Sequence, residues 1–178
     1  MPTLRLISPE ESMLKYVWEG DAKAMSGDDV AKFVADFKAG SLSPHLKSEP
    51  IPEPATTDGL TVVVGKSWED VVKDPSKDVL VKYYAPWCGH CKALAPVWDA
   101  LAKDVEGIED LVIAKFDATV NEVAGLEIRG YPTLKFYPKD NKEVAYDGGR
   151  ELEDIKKWLE ENSSALKAGA GEAKDGDL

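Results

Sequence analysis

The stretch DVLVKYYAPWCGHCKALAP, residues 78–96, carries two hydrophobic periods back to back. Residues 78–85 are almost continuously apolar, as expected of a strand covered on both faces. From Cys88 onward the spacing changes. Leu94, Val97, Trp98 and Leu101 recur at three- and four-residue intervals and predict a helix over 88–104, with Pro96 expected to kink it. Both cysteines of the chain, Cys88 and Cys91, sit at this strand-to-helix junction. Cys88 is therefore expected in the first helical turn, where unpaired backbone N–H groups and the helix dipole stabilise a thiolate. Cys91 follows one turn later on the same face. An i,i+3 pair lies about 5 Å apart at Cα, within the range a disulfide accepts.

Four kinds of chemistry use a lone Cys-x-x-Cys pair. A structural staple is a poor reading, because the loop it closes is too short to constrain the unfolded chain much. A structural zinc site needs about four ligands. Only His45 and His90 are available beside the thiols, and His90 lies between them. Covalent haem attachment requires a histidine directly after the second cysteine, where Lys92 stands. A redox-active dithiol remains the preferred reading. Cys88 is then the attacking thiol and Cys91 the resolving thiol. An imidazolium at His90 stabilises the reduced form and biases the pair toward donating its disulfide.

Working outward, strand and helix signals alternate. TVVVG (61–65) reads as a strand and SWEDVVKD (67–74) as a helix capped by Ser67. LVIAKFDA (111–118) is a strand, NEVAGLEI (121–128) a short helix, TLKFYP (133–138) and KEVAYD (142–147) two strands, and ELEDIKKWLEEN (151–162) an amphipathic helix. The order β-α-β-α-β-α-β-β-α makes one α/β domain. KSEPIPEPATTDG (47–59) reads as a linker, and the small, charged residues at the C-terminal end as disordered. Residues 1–46 echo the end of that domain: PTLRLISPEESMLKYVWEGD followed by an amphipathic helix parallels PTLKFYPKDNKEVAYDGG followed by its own. The expected organisation is a partial second unit (1–46), a linker (47–59), the main domain (60–163) and a disordered tail (164–178).

With 33 acidic against 22 basic side chains the net charge is −11, which argues against nucleic acid as a partner. No run of apolar residues is long enough to predict membrane insertion. No secretory leader is visible in MPTLRLISPEESML. Asn162-Ser163-Ser164 satisfies the N-glycosylation pattern but reads as the polar end of a fraying helix.

APWCGHCKALAP, in this strand–helix context and with GYPTLKFYP further on, resembles the catalytic thioredoxin-like domain of protein disulfide isomerases over residues 60–163. The resemblance implies a thioredoxin fold: a central mixed β-sheet with helices on both faces, preceded by a partial second thioredoxin-like unit. It implies a thiol-disulfide oxidoreductase and isomerase acting on unfolded or misoxidised client proteins in the endoplasmic reticulum lumen. No metal or organic cofactor is implied; glutathione or a thiol oxidase would reset the pair. The chain ends KDGDL rather than in the usual Lys-Asp-Glu-Leu type of signal. A redox-independent chaperone module, or a subunit of a larger enzyme, is the alternative.

By the same resemblance Gly89 and His90 complete the redox motif, and Pro132 is the family's cis-proline, presenting the backbone of Tyr131 to substrate. Trp87 belongs to an apolar contact surface or to the core. Arg150 matches an arginine that swings toward the buried cysteine. One position departs from the pattern. Six residues before Cys88, where many family members carry a buried glutamate, this chain has Lys82, and the lysine that partners that glutamate matches Lys115. Two facing lysines repel one another, and burial penalises their charged forms. Lys82 is expected either to act as a neutral proton acceptor or to reach solvent.

Overall fold

The computed structural model describes residues 4–8, 14–21, 23–140 and 142–167. The chain divides into two compact units, one reaching Lys47 and including Glu122–Leu126, the other holding Ser48–Asn121 and the residues from Glu127 onward.

In the first unit β1 (Arg5–Ser8) pairs antiparallel with β2 (Leu14–Val17), and α1 (Gly27–Lys38) follows. Ser26 caps α1 reciprocally. Its hydroxyl accepts from the Asp29 N–H at 3.2 Å, while the Asp29 carboxylate accepts from the Ser26 N–H at 2.9 Å. Phe33 is the side chain α1 buries.

The second unit contains β3 (Thr56–Thr57), β4 (Leu60–Val63), α2 (Trp68–Val72), β5 (Asp78–Tyr84), α3 (Gly89–Asp104), β6 (Leu111–Asp117), β7 (Thr133–Tyr137), β8 (Val144–Tyr146) and α4 (Leu152–Asn162). Six strands form one mixed sheet in the order β3-β4-β6-β5-β7-β8. The neighbouring strands β4, β6 and β5 are parallel, and the remaining pairings are antiparallel. This is the thioredoxin fold that the resemblance implied, built on the α/β order of elements read from the sequence. The strand–strand–helix order of β7, β8 and α4 repeats that of β1, β2 and α1.

β5 is buried from Asp78 through Tyr83 because helices cover both its faces. Its two-residue alternation sends Leu80 into a core with Leu94, Trp98 and Leu101 of α3 and with Ile155 and Leu159 of α4. Tyr83 points the other way. Its hydroxyl accepts from the Trp68 indole N–H on α2 at 3.0 Å and lies 2.9 Å from the hydroxyl of Tyr137 on β7. The Trp98 indole N–H, fully buried, donates to the Ala114 carbonyl on β6 at 3.0 Å and ties α3 to the sheet.

Three local expectations are corrected. The helix expected over 121–128 does not form. The Glu122 N–H donates to the Lys47 carbonyl at 2.8 Å, and Gly125 turns the chain with a positive φ of 75°, a conformation that breaks a helix. Ser67 does not cap α2 in the expected way; a short 3-10 turn, Gly65–Ser67, precedes the helix, and the Ser67 hydroxyl accepts from the Val64 N–H at 3.1 Å. Within the stretch read as a linker, Thr56–Thr57 is the edge strand of the sheet.

The expected tail disorder falls mostly outside the described residues, but its beginning is ordered by one carboxylate. Asp78, with no exposed surface, accepts from the hydroxyls of Ser163 (2.8 Å) and Ser164 (3.1 Å) and from the backbone N–H groups of Ala165 (3.0 Å) and Lys139 (3.0 Å). Consequently Asn162-Ser163-Ser164 is no frayed end: Ser163 is fully buried, and the Asn162 amide donates to the Trp158 carbonyl at 2.8 Å. Burial of Asp78 alone favours its protonated form, but these four donors outweigh it and hold the carboxyl below its ordinary value of 3.8.

Asp78→Ala is expected to lower stability by about 2–4 kcal/mol, because four donors lose a charged acceptor. Urea unfolding checks this as a lower midpoint at unchanged slope. The folded carboxyl releases its proton more readily than the unfolded one. The charge-dependent part of its contribution is therefore complete above pH 3.8 and is lost as pH falls through the folded value, so the gap between variant and wild type narrows in acid.

Candidate active site

The strand-to-helix junction places Cys88 at the N-cap of α3, one residue before the first turn. A cap residue turns its side chain back over the unpaired N–H groups of the helix. Here the Cys91 N–H donates to Cys88 Sγ at 3.2 Å, and the Cys88 thiol donates to the Tyr131 carbonyl at 3.6 Å. Both sulfurs are free thiols and mostly covered, Cys88 8% and Cys91 5% exposed. They pack with Ala85, Tyr84 and Tyr131.

The two thiols differ electrostatically. The Cys91 side chain, donating to Cys88, holds the Cys88 thiol below its ordinary value. The backbone N–H groups of Cys91 and His90 and the charge of Arg150 add to this, against a cost of desolvation. Burial pushes Cys91 up, its hydrogen bond to Cys88 adds to that, and the Ala85 backbone and the Lys82 charge pull the other way. The arrangement favours the anion at Cys88 over the anion at Cys91.

The expected residues gather in two groups. On the Cys88 side, Trp87 is 71% exposed and so is not core; its ring meets that of Tyr131 edge-on, with centroids 5.9 Å apart. The Tyr131–Pro132 bond is cis, at the entrance to β7. His90 and Arg150 are exposed. Gly89 opens α3, and a side chain there would meet nothing within 4 Å, so its position needs glycine for no steric reason.

On the Cys91 side, a cavity of about 180 Å³ is lined by Lys82, Tyr84, Cys91, Lys92, Asp99 and Lys115, among others. Lys82 stands opposite Lys115 in the parallel pairing of β5 with β6. It is 4% exposed, which rules out the expectation that it reaches solvent. Its ammonium nitrogen lies 5.4 Å from the Trp98 ring centre and 6.0 Å from that of Tyr84. Burial lowers the Lys82 amine to about 8, opposed by the charge of Asp99 and assisted by that of Lys115. Sequence reasoning missed Asp99 as part of this group. The signal was present, since Cys91, Ala95 and Asp99 recur every fourth residue and so share one face of α3.

Comparison with known proteins accords with this geometry. The thioredoxin family matches residues 59–161. Protein disulfide-isomerase of Gallus gallus is 43% identical over 179 aligned residues, covering 99% of this chain and 33% of the relative. The enzyme of the same name from Drosophila melanogaster is 44% identical over 163, covering 91% and 32%. The chain thus spans about a third of the length of these relatives. The first thioredoxin domain of mouse Protein disulfide-isomerase A4 superposes with a TM-score of 0.50 at 30% identity, over 79% of this chain and 86% of that one. The chain belongs to the thioredoxin family, and its thioredoxin domain is of the protein disulfide-isomerase kind.

Alkylation by iodoacetamide is expected to strike Cys88 well before Cys91. Because the largest stabilisation of the Cys88 thiolate comes from the Cys91 side chain, Cys91→Ala should move the pH midpoint of Cys88 alkylation upward. Cys91→Ser, which keeps a donor, should move it less. Equal midpoints in all three proteins would show the backbone N–H groups to be sufficient.

Proposed function

We propose that this chain is a thiol-disulfide oxidoreductase and isomerase working on client proteins through Cys88 and Cys91. The observation that carries the reading is the asymmetry of the pair: a thiol at a helix N-cap, favoured as thiolate, with a second and more proton-retaining thiol one turn behind it. In isomerisation the Cys88 thiolate attacks a client disulfide. A Cys88–client S–S bond forms, the client S–S bond breaks, and one client sulfur leaves as a thiolate. That thiolate either attacks another client disulfide or leaves Cys91 to displace the client and close the Cys88–Cys91 disulfide. Oxidation runs the same exchanges in reverse, and glutathione or a thiol oxidase resets the pair. Trp87 and Tyr131 supply apolar surface beside the attacking sulfur. His90 favours the reduced form, Gly89 leaves the approach to the motif open, and Arg150 adds positive charge near the thiols.

The same reading assigns residues 1–46 to the end of a preceding redox-inactive, substrate-binding domain and 47–59 to the connection between domains. The catalytic domain is then 60–163, and the endoplasmic reticulum lumen is the compartment. Likeness to protein disulfide-isomerases over nearly the whole chain supports these assignments. The exposed Trp87 also fits a chaperone that holds clients without redox chemistry.

Equilibration with glutathione buffers is expected to give a reduction potential of about −180 mV, in the range of disulfide donors, against about −270 mV for a thioredoxin-type reductase. His90→Pro should lower the potential. Cys88→Ser together with Cys91→Ser should abolish refolding of a scrambled disulfide protein while leaving any suppression of aggregation intact. Isomerase activity surviving that double variant would overturn the proposal.

A further inference from the structure

Lys82 and Lys115 are register partners on the parallel strands β5 and β6, so both project from the same face of the sheet. Lys92 of α3 joins them in the wall of the cavity beside Cys91, which thus carries three lysines against one carboxylate, that of Asp99. Lys82 is the most deeply set of the three, 4% exposed, and a buried charge ordinarily has an opposite charge beside it. Here, among the described residues, no carboxylate lies within ion-pair distance of Lys82 and no hydrogen bond reaches it. Its ammonium has the rings of Trp98 and Tyr84, with centres 5.4 and 6.0 Å away, contacts weaker than an ion pair. The cavity, about 180 Å³, has room for a small ion with some of its water, and exposed Lys92 and Asp99 in its wall open it to solvent.

We propose that this cavity is a site for a small inorganic anion, such as chloride, held between Lys82, Lys115 and Lys92. An anion there supplies the counter-charge that the fold withholds from Lys82 and relieves its repulsion with Lys115, against the cost of stripping water from the ion. Asp99 repels the incoming ion and limits its affinity. The volume suits a free ion; a peptide carboxylate would have to bring its chain into the same space. Binding stands apart from the oxidoreductase reading, whereas its consequence for catalysis rests on it. The Lys82 charge opposes the upward push of burial on the Cys91 thiol. An anion beside Lys82 cancels that charge, so Cys91 holds its proton more firmly and resolves a mixed disulfide on Cys88 more slowly.

The pH dependence of binding distinguishes this site from lysines on the surface. Around the cavity stand Lys115 from β6, Cys91, Lys92 and Asp99 from α3, and Tyr84 from β5. Burial lowers the Lys82 amine to about 8, with Asp99 opposing and Lys115 assisting. The anion binds the ammonium, so its affinity should fall as pH rises through about 8, by roughly tenfold per pH unit well above that value. Exposed lysines alone would hold an anion until about pH 10.

Reduced protein is titrated with chloride at constant ionic strength, the bulky anion gluconate making up the balance, and binding is read from broadening of the chloride NMR line. The pH midpoint of Cys91 alkylation is followed in Cys88→Ser over the same series. Saturable broadening that weakens through about pH 8, with an upward shift of the Cys91 midpoint, is expected. Lys82→Met should abolish both, Lys115→Gln should weaken both, and Asp99→Asn should strengthen them. Broadening unchanged in Lys82→Met, or undiminished up to about pH 10, overturns the site. The pH profile of wild type and the exposed Asp99→Asn variant decide the matter even if Lys82→Met fails to fold. Saturable binding that leaves the Cys91 midpoint unmoved overturns the effect on the thiol. A protein without isomerase activity overturns the oxidoreductase reading and not the site, since neither measurement uses turnover.

Discussion

Burial of β5 on both faces is the constraint from which the rest of the second unit follows. A strand covered on one side only can alternate polar and apolar residues; β5 cannot, and Asp78 through Tyr83 are all buried. Alternation then decides not whether a residue is inside but against what it packs. Val79, Val81 and Tyr83 take one face, with Tyr83 reaching Trp68 of α2, while Leu80, Lys82 and Tyr84 take the other, toward α3. The two charged residues of the strand therefore need special surroundings. Asp78 has four hydrogen-bond donors, and Lys82 lines a cavity that it shares with Asp99 and Lys115. The first ties down the end of the chain after α4; the second lies under the thiols.

The change of hydrophobic period that ends β5 also makes the two sulfurs unequal. Because the chain turns directly from a buried strand into α3, Cys88 occupies the cap and Cys91 the first turn. The cap sulfur receives an N–H that the helix cannot use internally, which favours its anion. The sulfur one turn on has spent its own N–H on that bond and is itself more deeply set. Equal thiols at this separation could form a disulfide but would have no preferred direction of attack. The asymmetry needs no catalytic side chain beyond the two cysteines; it follows from where the helix starts.

Much of this was legible in the sequence because it depends on local periodicity. The strand–helix junction at Cys88 and the sequential order of the strands rest on patterns within about ten residues. What escaped was non-local. NEVAGLEI has helical composition, yet Glu122 bonds to Lys47, far away in the chain, and Gly125 adopts a left-handed turn. Ser163 and Ser164 look like a polar helix end until Asp78 is seen to lie against them. Trp87 could have been core or surface by composition alone, since only the fold decides which side of the junction faces water. Lys82 is the instructive case. Its residue type argued for the surface, its place in an apolar strand argued for burial, and the strand prevailed.

The arrangement separates the two demands of thiol exchange in space. Cys88 packs against Tyr131, whose ring meets that of the exposed Trp87, an apolar surface. Cys91 lines the cavity that carries the ionisable groups Lys82, Lys92, Asp99 and Lys115. A cation at Lys82 opposes what the fold otherwise does to Cys91: burial favours the protonated thiol, and the lysine charge favours the anion.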